Sequence, residues 1–284
     1  MRLTEINIRD PFVFREEDVY YLYGTRAKRF GRRVGGFDVY TSVDLQNWDG
    51  PFECFSSEKN GLNRDVNWAP EVHKYRDAYY MFATFTKENG LRGVYVLTAE
   101  NPMGSFQRYS SRAVTPDLWE CLDGTLYLNR EGEPCLVFCH EHTQIKDGTV
   151  CYLKLSEDLK TAVSEPVVLF SASSPDWVKH KMRGRHYITD GPFLYRTSNG
   201  RLLMIWSTFI KEKYAIGVAR SDNDDIDGQF VHLPPLVTND GGHGMIFKAD
   251  NRLLLAYHTP NKTDFERPMF RELLDTGDDL KIVG

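Results

Sequence analysis

Short apolar and aromatic runs separated by clusters of Gly, Asn, Asp and Pro recur along the whole chain, among them "DVYYLYGT", "AYYMFATFT", "PCLVFCHEH", "RLLMIWSTF" and "RLLLAYHTP". Runs of this length, rich in aromatic and β-branched residues and bounded by turn formers, predict strands. Apolar residues at i, i+3, i+4 and i+7 are hard to find in any useful window, and no linker or low-complexity segment divides the chain. The pattern predicts a protein that is almost entirely β.

Each run follows a similar opener: "RDPFVF", "APEVHKY", "LDGTLYL", "TDGPFLY" and "GHGMIF". With Asp10, Glu71, Asp123, Asp190 and His243 as markers, the openers are separated by 61, 52, 67 and 53 residues. That spacing fits a unit of several strands plus loops of varying length. Third runs follow as well, "GFDVYTS", "RGVYVLT", "GTVCYLKL", "YAIGVARS" and "RPMFREL". Five like-ordered units predict a five-bladed β-propeller, a single domain over residues 1–284, with the openers as innermost strands. A β-sandwich is the alternative, but it would not generate five such units.

Composition narrows the ligand class. The 284 residues are 41% hydrophobic and 13% aromatic, enough for a sizeable core, and the formal net charge is -5. Basic residues scattered among acidic ones give no footprint for nucleic acid or an anionic membrane, so neutral or small ligands are expected. Five cysteines without a CxxC pair read as free thiols. The opening "MRLTEINIRDPFVF" lacks a basic segment followed by an apolar run, and no stretch approaches the length of a membrane span. A cytoplasmic protein is expected, with secretion open if a leader has been trimmed.

In a propeller the innermost strands line the central channel, so residues at the same end of each opener converge on one axial pocket. Asp10, Asp123 and Asp190 are expected to meet there. Each negative charge raises the pKa of its neighbours, which separates a base from an acid. Glycoside hydrolysis needs that separation: one carboxylate activates water while a carboxylic acid protonates the leaving oxygen. An isolated Asp before Gly or Pro more often caps a turn; three around one ring favour chemistry.

The motifs "IRDPFVF", "YYLYGT", "TSVDLQNW", "NWAPEVHKYRDAYYMFAT", "TAENPMGSF", "LDGTLYLNREGEPCLVF", "TDGPFLYRTSNGRLLMIWS" and "GGHGMIF" occur in this order over almost the whole chain. In that order they resemble glycoside hydrolase family 43, five-bladed propeller glycosidases acting chiefly on arabinose- and xylose-containing glycans. The resemblance implies Asp10 as general base, Asp123 as the residue that tunes and orients the acid, and Asp190 as acid. It also implies a departure, because the family normally carries Glu before that Gly-Pro. One methylene fewer draws the carboxyl back by roughly 1 to 1.5 Å, enough to impair proton transfer unless the pocket is rebuilt around a shorter acid. The alternatives to an exo-acting inverting glycosidase are a carbohydrate-binding propeller without turnover and a phosphorolytic enzyme.

The remaining candidates each carry a second reading. Trp68 can stack on a sugar ring or pack between blades, and Glu71 can bind hydroxyls or brace a neighbouring blade. Arg267 resembles an arginine that reaches the sugar site in the family, or it makes a surface ion pair with Glu266 or Asp264. His258 can line the pocket or cap a strand end. His243 resembles the family's axial histidine, which often lies near a calcium ion bound partly through water; hard Ca²⁺ prefers oxygen ligands, so the plainer reading is a hydrogen-bonded core histidine. No cofactor is required for the chemistry, and the expected partner is an oligosaccharide. The basic run "KHKMRGRHY", residues 179–187, is either a solvated loop or an anion site for a charged sugar or phosphate.

Overall fold

The computed structural model describes residues 1–26, 35–179, 181–182 and 184–283. Five antiparallel four-stranded sheets follow one another along the chain, each in the order of its strands. Blade 1 comprises β1 (Ile8–Glu16), β2 (Val19–Arg26), β3 (Gly36–Ser42) and β4 (Asp49–Ser56), and blade 2 β5 (Asn67–Tyr75), β6 (Ala78–Thr86), β7 (Arg92–Ala99) and β8 (Gln107–Arg108). Blade 3 comprises β9 (Cys121–Leu128), β10 (Pro134–His140), β11 (Thr149–Lys154) and β12 (Val167–Ser171). Blade 4 comprises β13 (Asp190–Arg196), β14 (Leu202–Ile210), β15 (Lys213–Ser221) and β16 (Phe230–Val237), and blade 5 β17 (Gly242–Ala249), β18 (Arg252–Thr259), β19 (Arg267–Asp275) and β20 (Leu280–Ile282). No helix among the described residues is long and apolar enough to cross a membrane.

The ring closes through its innermost strands. β1 touches β5 and β17, β9 touches β5 and β13, and β13 touches β17, which is the expected five-bladed propeller. The apolar clusters lie between blades: Phe82, Val94, Leu136 and Phe138 join blades 2 and 3, Val137, Cys139, Met204 and Trp206 join blades 3 and 4, and Ile205, Ile216, Ile246 and Leu255 join blades 4 and 5. A second strand is sandwiched on both faces by neighbouring blades, so β10 is buried at every position and its sequence reads as a continuous apolar run. The fourth strands lie at the rim, mostly half-buried or exposed, and their sequences, from the apolar Val167–Ser171 to the polar Gln107–Arg108, share no repeated pattern.

The innermost strands share a device that corrects the fivefold alignment. Each has a register shift over two residues, Asp10-Pro11, Ala69-Pro70, Asp123-Gly124, Gly191-Pro192 and His243-Gly244. The first residue of every pair is left-handed, with φ of 52° at Asp10, 47° at Ala69, 57° at Asp123, 47° at Gly191 and 51° at His243. A left-handed residue in a bulge bends the strand and re-aims its side chain, at a cost of about 1–2 kcal/mol for a residue with a Cβ. Asp10, Asp123 and His243 are therefore true equivalents. Asp190 lies one residue before this position, level with Arg9 and Trp68, and Glu71 lies two residues after it.

The bulged backbone amides are satisfied around the ring by the second strand of the preceding blade. Ala69 N–H donates to Thr25 Oγ1 at 2.8 Å, Asp123 N–H to Thr84 Oγ1 at 3.0 Å, His243 N–H to Ser207 Oγ at 2.8 Å, and Asp10 N–H to His258 Nδ1 at 3.2 Å. In blade 3 the corresponding residue is Cys139, paired with Leu122 as Thr25 is with Arg9. Gly191 N–H donates instead to Asp123 Oδ2 at 2.9 Å.

Candidate active site

A cavity of about 470 Å³ is lined by the entering ends of the innermost strands, including Asp10, Trp68, Asp123, Asp190 and His243. Its size suits a small-molecule site. Asp10 and Asp123 are buried, whereas Asp190 keeps partial contact with the cavity. The three aspartates that lie 113 and 67 residues apart in sequence thus share one wall-to-wall site.

Asp10 sits beside a hydroxyl donor, a histidine ring and a guanidinium. Thr25 donates its hydroxyl to Asp10 Oδ2 at 2.6 Å, His243 Nδ1 lies 3.3 Å from Oδ1, and Arg9 Nε lies 3.8 Å from it. Burial raises the Asp10 carboxyl, but the His243 ring, the Arg9 guanidinium and the Thr25 hydroxyl outweigh it and bring it down to about 2. The carboxylate is ionised under any ordinary condition. His258 is held neutral, pushed down to about 3 by burial, with its Nδ1 accepting the Asp10 amide.

Asp190 sits among acids. Burial of its carboxyl, then the charges of Asp123 and Glu141, raise it to about 7, against smaller opposing effects of His243 and a hydrogen bond from Tyr214 Oη to Asp190 Oδ2 at 2.9 Å. Burial and the Asp10 charge push Asp123 up as well, against the Gly191 N–H that favours its ionised form. Glu141 is buried yet lowered: burial raises it, but the hydrogen bond from His142 and the guanidinium of Arg92, whose Nη2 donates at 2.6 Å, bring it below its usual range. One end of the site is built to hold a carboxylate and the other to hold a carboxylic acid.

The sequence matches "Glycosyl hydrolases family 43" over residues 4–275, nearly the whole chain. The chain belongs to glycosyl hydrolases family 43. It is 35% identical to the crystallised endo-arabinase of Bacteroides thetaiotaomicron, covering 98% of this chain and 99% of that one with a TM-score of 0.89. It is 23% identical over 270 residues to the extracellular exo-alpha-(1->5)-L-arabinofuranosidase ArbA of Cellvibrio japonicus, covering 87% of this chain and 73% of that protein. A B. thetaiotaomicron structure named endo-1,4-beta-xylanase, 23% identical over 98% of this chain and 95% of that one, has a TM-score of 0.81 and shares the fold. Membership makes this protein a glycosidase.

Within this family 43 site the remaining sequence candidates fall into two groups. Trp68 lines the cavity, with the Arg92 guanidinium 5.2 Å from its ring centre, so one face is taken by protein. Glu71, His258 and Arg267 are absent from the described lining. Glu71 is buried, with His73 Nε2 of its own strand at 3.3 Å. Arg267 gives its guanidinium to the carbonyls of Thr4 at 3.0 Å and Glu266 at 2.7 Å, tying the last blade to the N-terminus. Arg9, Arg26, Arg64 and Arg92 do line the cavity, and Arg9, directly before the Asp10 bulge and level with Asp190, pairs with buried Glu266 at 3.2 Å.

His243 lies between the two buried aspartates. Its Nδ1 faces Asp10 and, at 3.7 Å, Asp123 Oδ2, while Asp10 Oδ2 and Asp123 Oδ2 are already engaged by Thr25 and Gly191. Ca²⁺ takes six to eight oxygens, and no group of three or more His, Cys, Asp or Glu able to hold a metal is gathered among the described residues. The ring instead packs over Gly191, where a Cβ would stand 2.8 Å from His243 Cδ2. Of the basic run at 179–187, His180 and Arg183 lie outside the described residues, and none of the others lines the cavity.

Proposed function

We propose that this protein is an inverting glycosidase that releases terminal arabinose- or xylose-type units from short oligosaccharides, with Asp10 as base, Asp190 as acid and Asp123 tuning the acid. The observation that carries the reading is that two carboxyls of one cavity are held in opposite protonation states, Asp10 at about 2 and Asp190 at about 7. Asp10 takes a proton from the water that attacks the anomeric carbon, and Asp190 gives its proton to the departing oxygen, so that the two exchange states and are reset by solvent. The arabinose preference is supported by the relatives named as arabinofuranosidase and endo-arabinase.

Release of single units is argued from the size of the cavity and agrees with the relative named as exo-acting. Endo-cleavage of arabinan is the second reading, favoured by the 35% identity to an endo-arabinase. Proton NMR of the purified protein acting on an aryl arabinofuranoside, an aryl xyloside and linear arabino-oligosaccharides tests all of this. Prompt appearance of the inverted anomer as a monosaccharide is expected. Short oligosaccharides as first products would establish endo-action, and binding without any product would leave the binding propeller. Turnover that requires inorganic phosphate would mark phosphorolysis.

A further inference from the structure

Tyr214 belongs to none of the openers and only begins the third run "YAIGVARS", yet its hydroxyl ends on the carboxyl that the family normally carries on a longer side chain. The ring is 1% exposed. It lies tilted against Phe209 and His258, with ring centres 5.1 and 5.5 Å away. β15 carries it opposite Phe209 in a regular ladder. Its edge lies over Gly242, where a Cβ would stand 2.2 Å from Tyr214 Cε1; the second glycine of "GGHG" is thereby the space that admits the ring. Every degree of freedom of this side chain is fixed before it reaches Asp190.

We propose that Tyr214 is the positioning residue that adapts the site to a short acid, by holding Asp190 Oδ2 and leaving Oδ1 as the oxygen that carries the proton to the substrate. The proposal rests on Asp190 being the acid. An aspartate has one rotatable bond fewer than a glutamate, and a hydroxyl donated to one oxygen at 2.9 Å fixes the plane of the carboxyl as well as its reach. The Tyr214 hydroxyl keeps its own proton, raised well above its ordinary range by burial and by Asp190, so it donates in both states of the acid. When Oδ1–H passes its proton to the glycosidic oxygen and the C–O bond breaks, the new carboxylate still accepts the Tyr214 O–H. That bond becomes charge-assisted and roughly twice as strong. The tyrosine therefore holds the acid in place and makes its proton easier to give.

The test compares Tyr214→Phe, Asp190→Asn and wild type on a nitrophenyl glycoside, which departs without a proton, and on an unactivated disaccharide. Tyr214→Phe is expected to lose roughly ten- to a hundredfold in kcat on the disaccharide, the effect of one hydrogen bond to a charged group, and little on the nitrophenyl substrate. Because a donor to a carboxylate favours its ionised form, its removal raises the pKa of Asp190, and the alkaline limb of kcat/KM moves to higher pH. Equal losses on both substrates with the limb unmoved would make Tyr214 a packing residue and overturn the proposal. Asp190→Asn with a wild-type ratio of the two rates would instead overturn the acid assignment, whatever Tyr214→Phe does. Should Tyr214→Phe fail to fold, 3-fluorotyrosine placed at 214 keeps the ring and strengthens the donor. The alkaline limb is then expected to move to lower pH, and an unmoved limb would again overturn the proposal.

Discussion

Two walls of the same cavity, built from different blades, treat the same side chain in opposite ways. On the wall of blades 1 and 5, Asp10 meets Thr25, Arg9 and His243; on the wall of blades 3 and 4, Asp190 meets Asp123, Glu141 and Tyr214. Burial pushes both carboxyls upward, so it cannot be what separates them. Their neighbours decide: the His243 ring, the Arg9 guanidinium and the Thr25 hydroxyl bring Asp10 down to about 2, while two acids add to burial and leave Asp190 at about 7. A propeller reaches this arrangement by bringing neighbours from the same blade, Arg9 and Thr25 for Asp10 and Tyr214 for Asp190, together with neighbours from the next blade, His243 for Asp10 and Asp123 and Glu141 for Asp190.

The harshest way to break the contrast is to remove the charge at the Asp10 wall. Asp10→Asn cannot take a proton from water, and the expected loss is about 10² to 10⁴ in kcat, with melting behaviour and glycan binding by calorimetry close to wild type. Near-normal turnover would place the base elsewhere. In the wild type, Asp10 must be ionised and Asp190 protonated, so activity is expected to hold on the acidic side, where Asp10 stays ionised down to about pH 2, and to fall as pH rises through about 7. A rate still climbing well above pH 7 would contradict the assignment of Asp190.

Next in size is the acid itself. Asp190→Asn is expected to cost roughly 10² or more on unactivated glycosides and far less on nitrophenyl ones, read as the ratio of kcat/KM values. Asp190→Glu asks how far the wall has been rebuilt. The longer side chain displaces the carboxyl toward Tyr214 or into the cavity by roughly 1 to 1.5 Å, and with Tyr214 already placed for the shorter residue a loss on unactivated substrates is expected. A gain would mean that the ordinary pocket of the family survives.

How much of this was legible in sequence follows from where each determinant lies. Asp10, Asp123 and Asp190 were legible because each stands at the start of an apolar run, and the run repeats. The fine alignment was not: a two-residue bulge in each innermost strand puts Ala69, not Glu71, level with Asp10, and the αL conformation that reveals this is a property of backbone angles. Arg9 against Arg267, and the partners Glu141 and Tyr214, were hidden for another reason. Their roles depend on which side chains the bulges, neighbouring strands and adjacent blades bring face to face, and strand periodicity carries no information about that. The fourth strands were missed because edge positions constrain composition weakly, so apolar Val167–Ser171 and polar Gln107–Arg108 occupy the same place and leave no common pattern.

Within the Asp190 wall, Asp123→Asn isolates one of the two acids that raise the pKa. Neutralising it lets Asp190 ionise at lower pH, so the alkaline limb is expected to move down while the rate on nitrophenyl substrates changes little. A limb that stays in place would assign the tuning to Glu141 and burial alone.

The smallest expected effect concerns the gap in the ring of inter-blade hydrogen bonds. Four bulged amides are accepted by Thr25, Thr84, Ser207 and His258, while at the junction of blades 3 and 4 the equivalent side chain is Cys139 and the amide of Gly191 goes to Asp123. Sulfur is a weak acceptor, so the cysteine leaves that amide free to hold the tuning carboxylate. Cys139→Ser, which changes volume little, is expected to restore the ring and compete for the Gly191 amide. Asp123 then loses a bond that favours its charge, carries less negative charge at the working pH, and raises Asp190 less. The alkaline limb shifts in the same direction as in Asp123→Asn but by less, and the rate changes within about fivefold, the worth of about 1 kcal/mol for one hydrogen bond. If Cys139→Ser leaves the limb unmoved while Asp123→Asn shifts it, the Gly191 amide does not control the tuning carboxylate. If Cys139→Ser shifts it upward, the serine hydroxyl is donating to Asp123 rather than accepting from Gly191, and the gap in the ring is then a matter of packing.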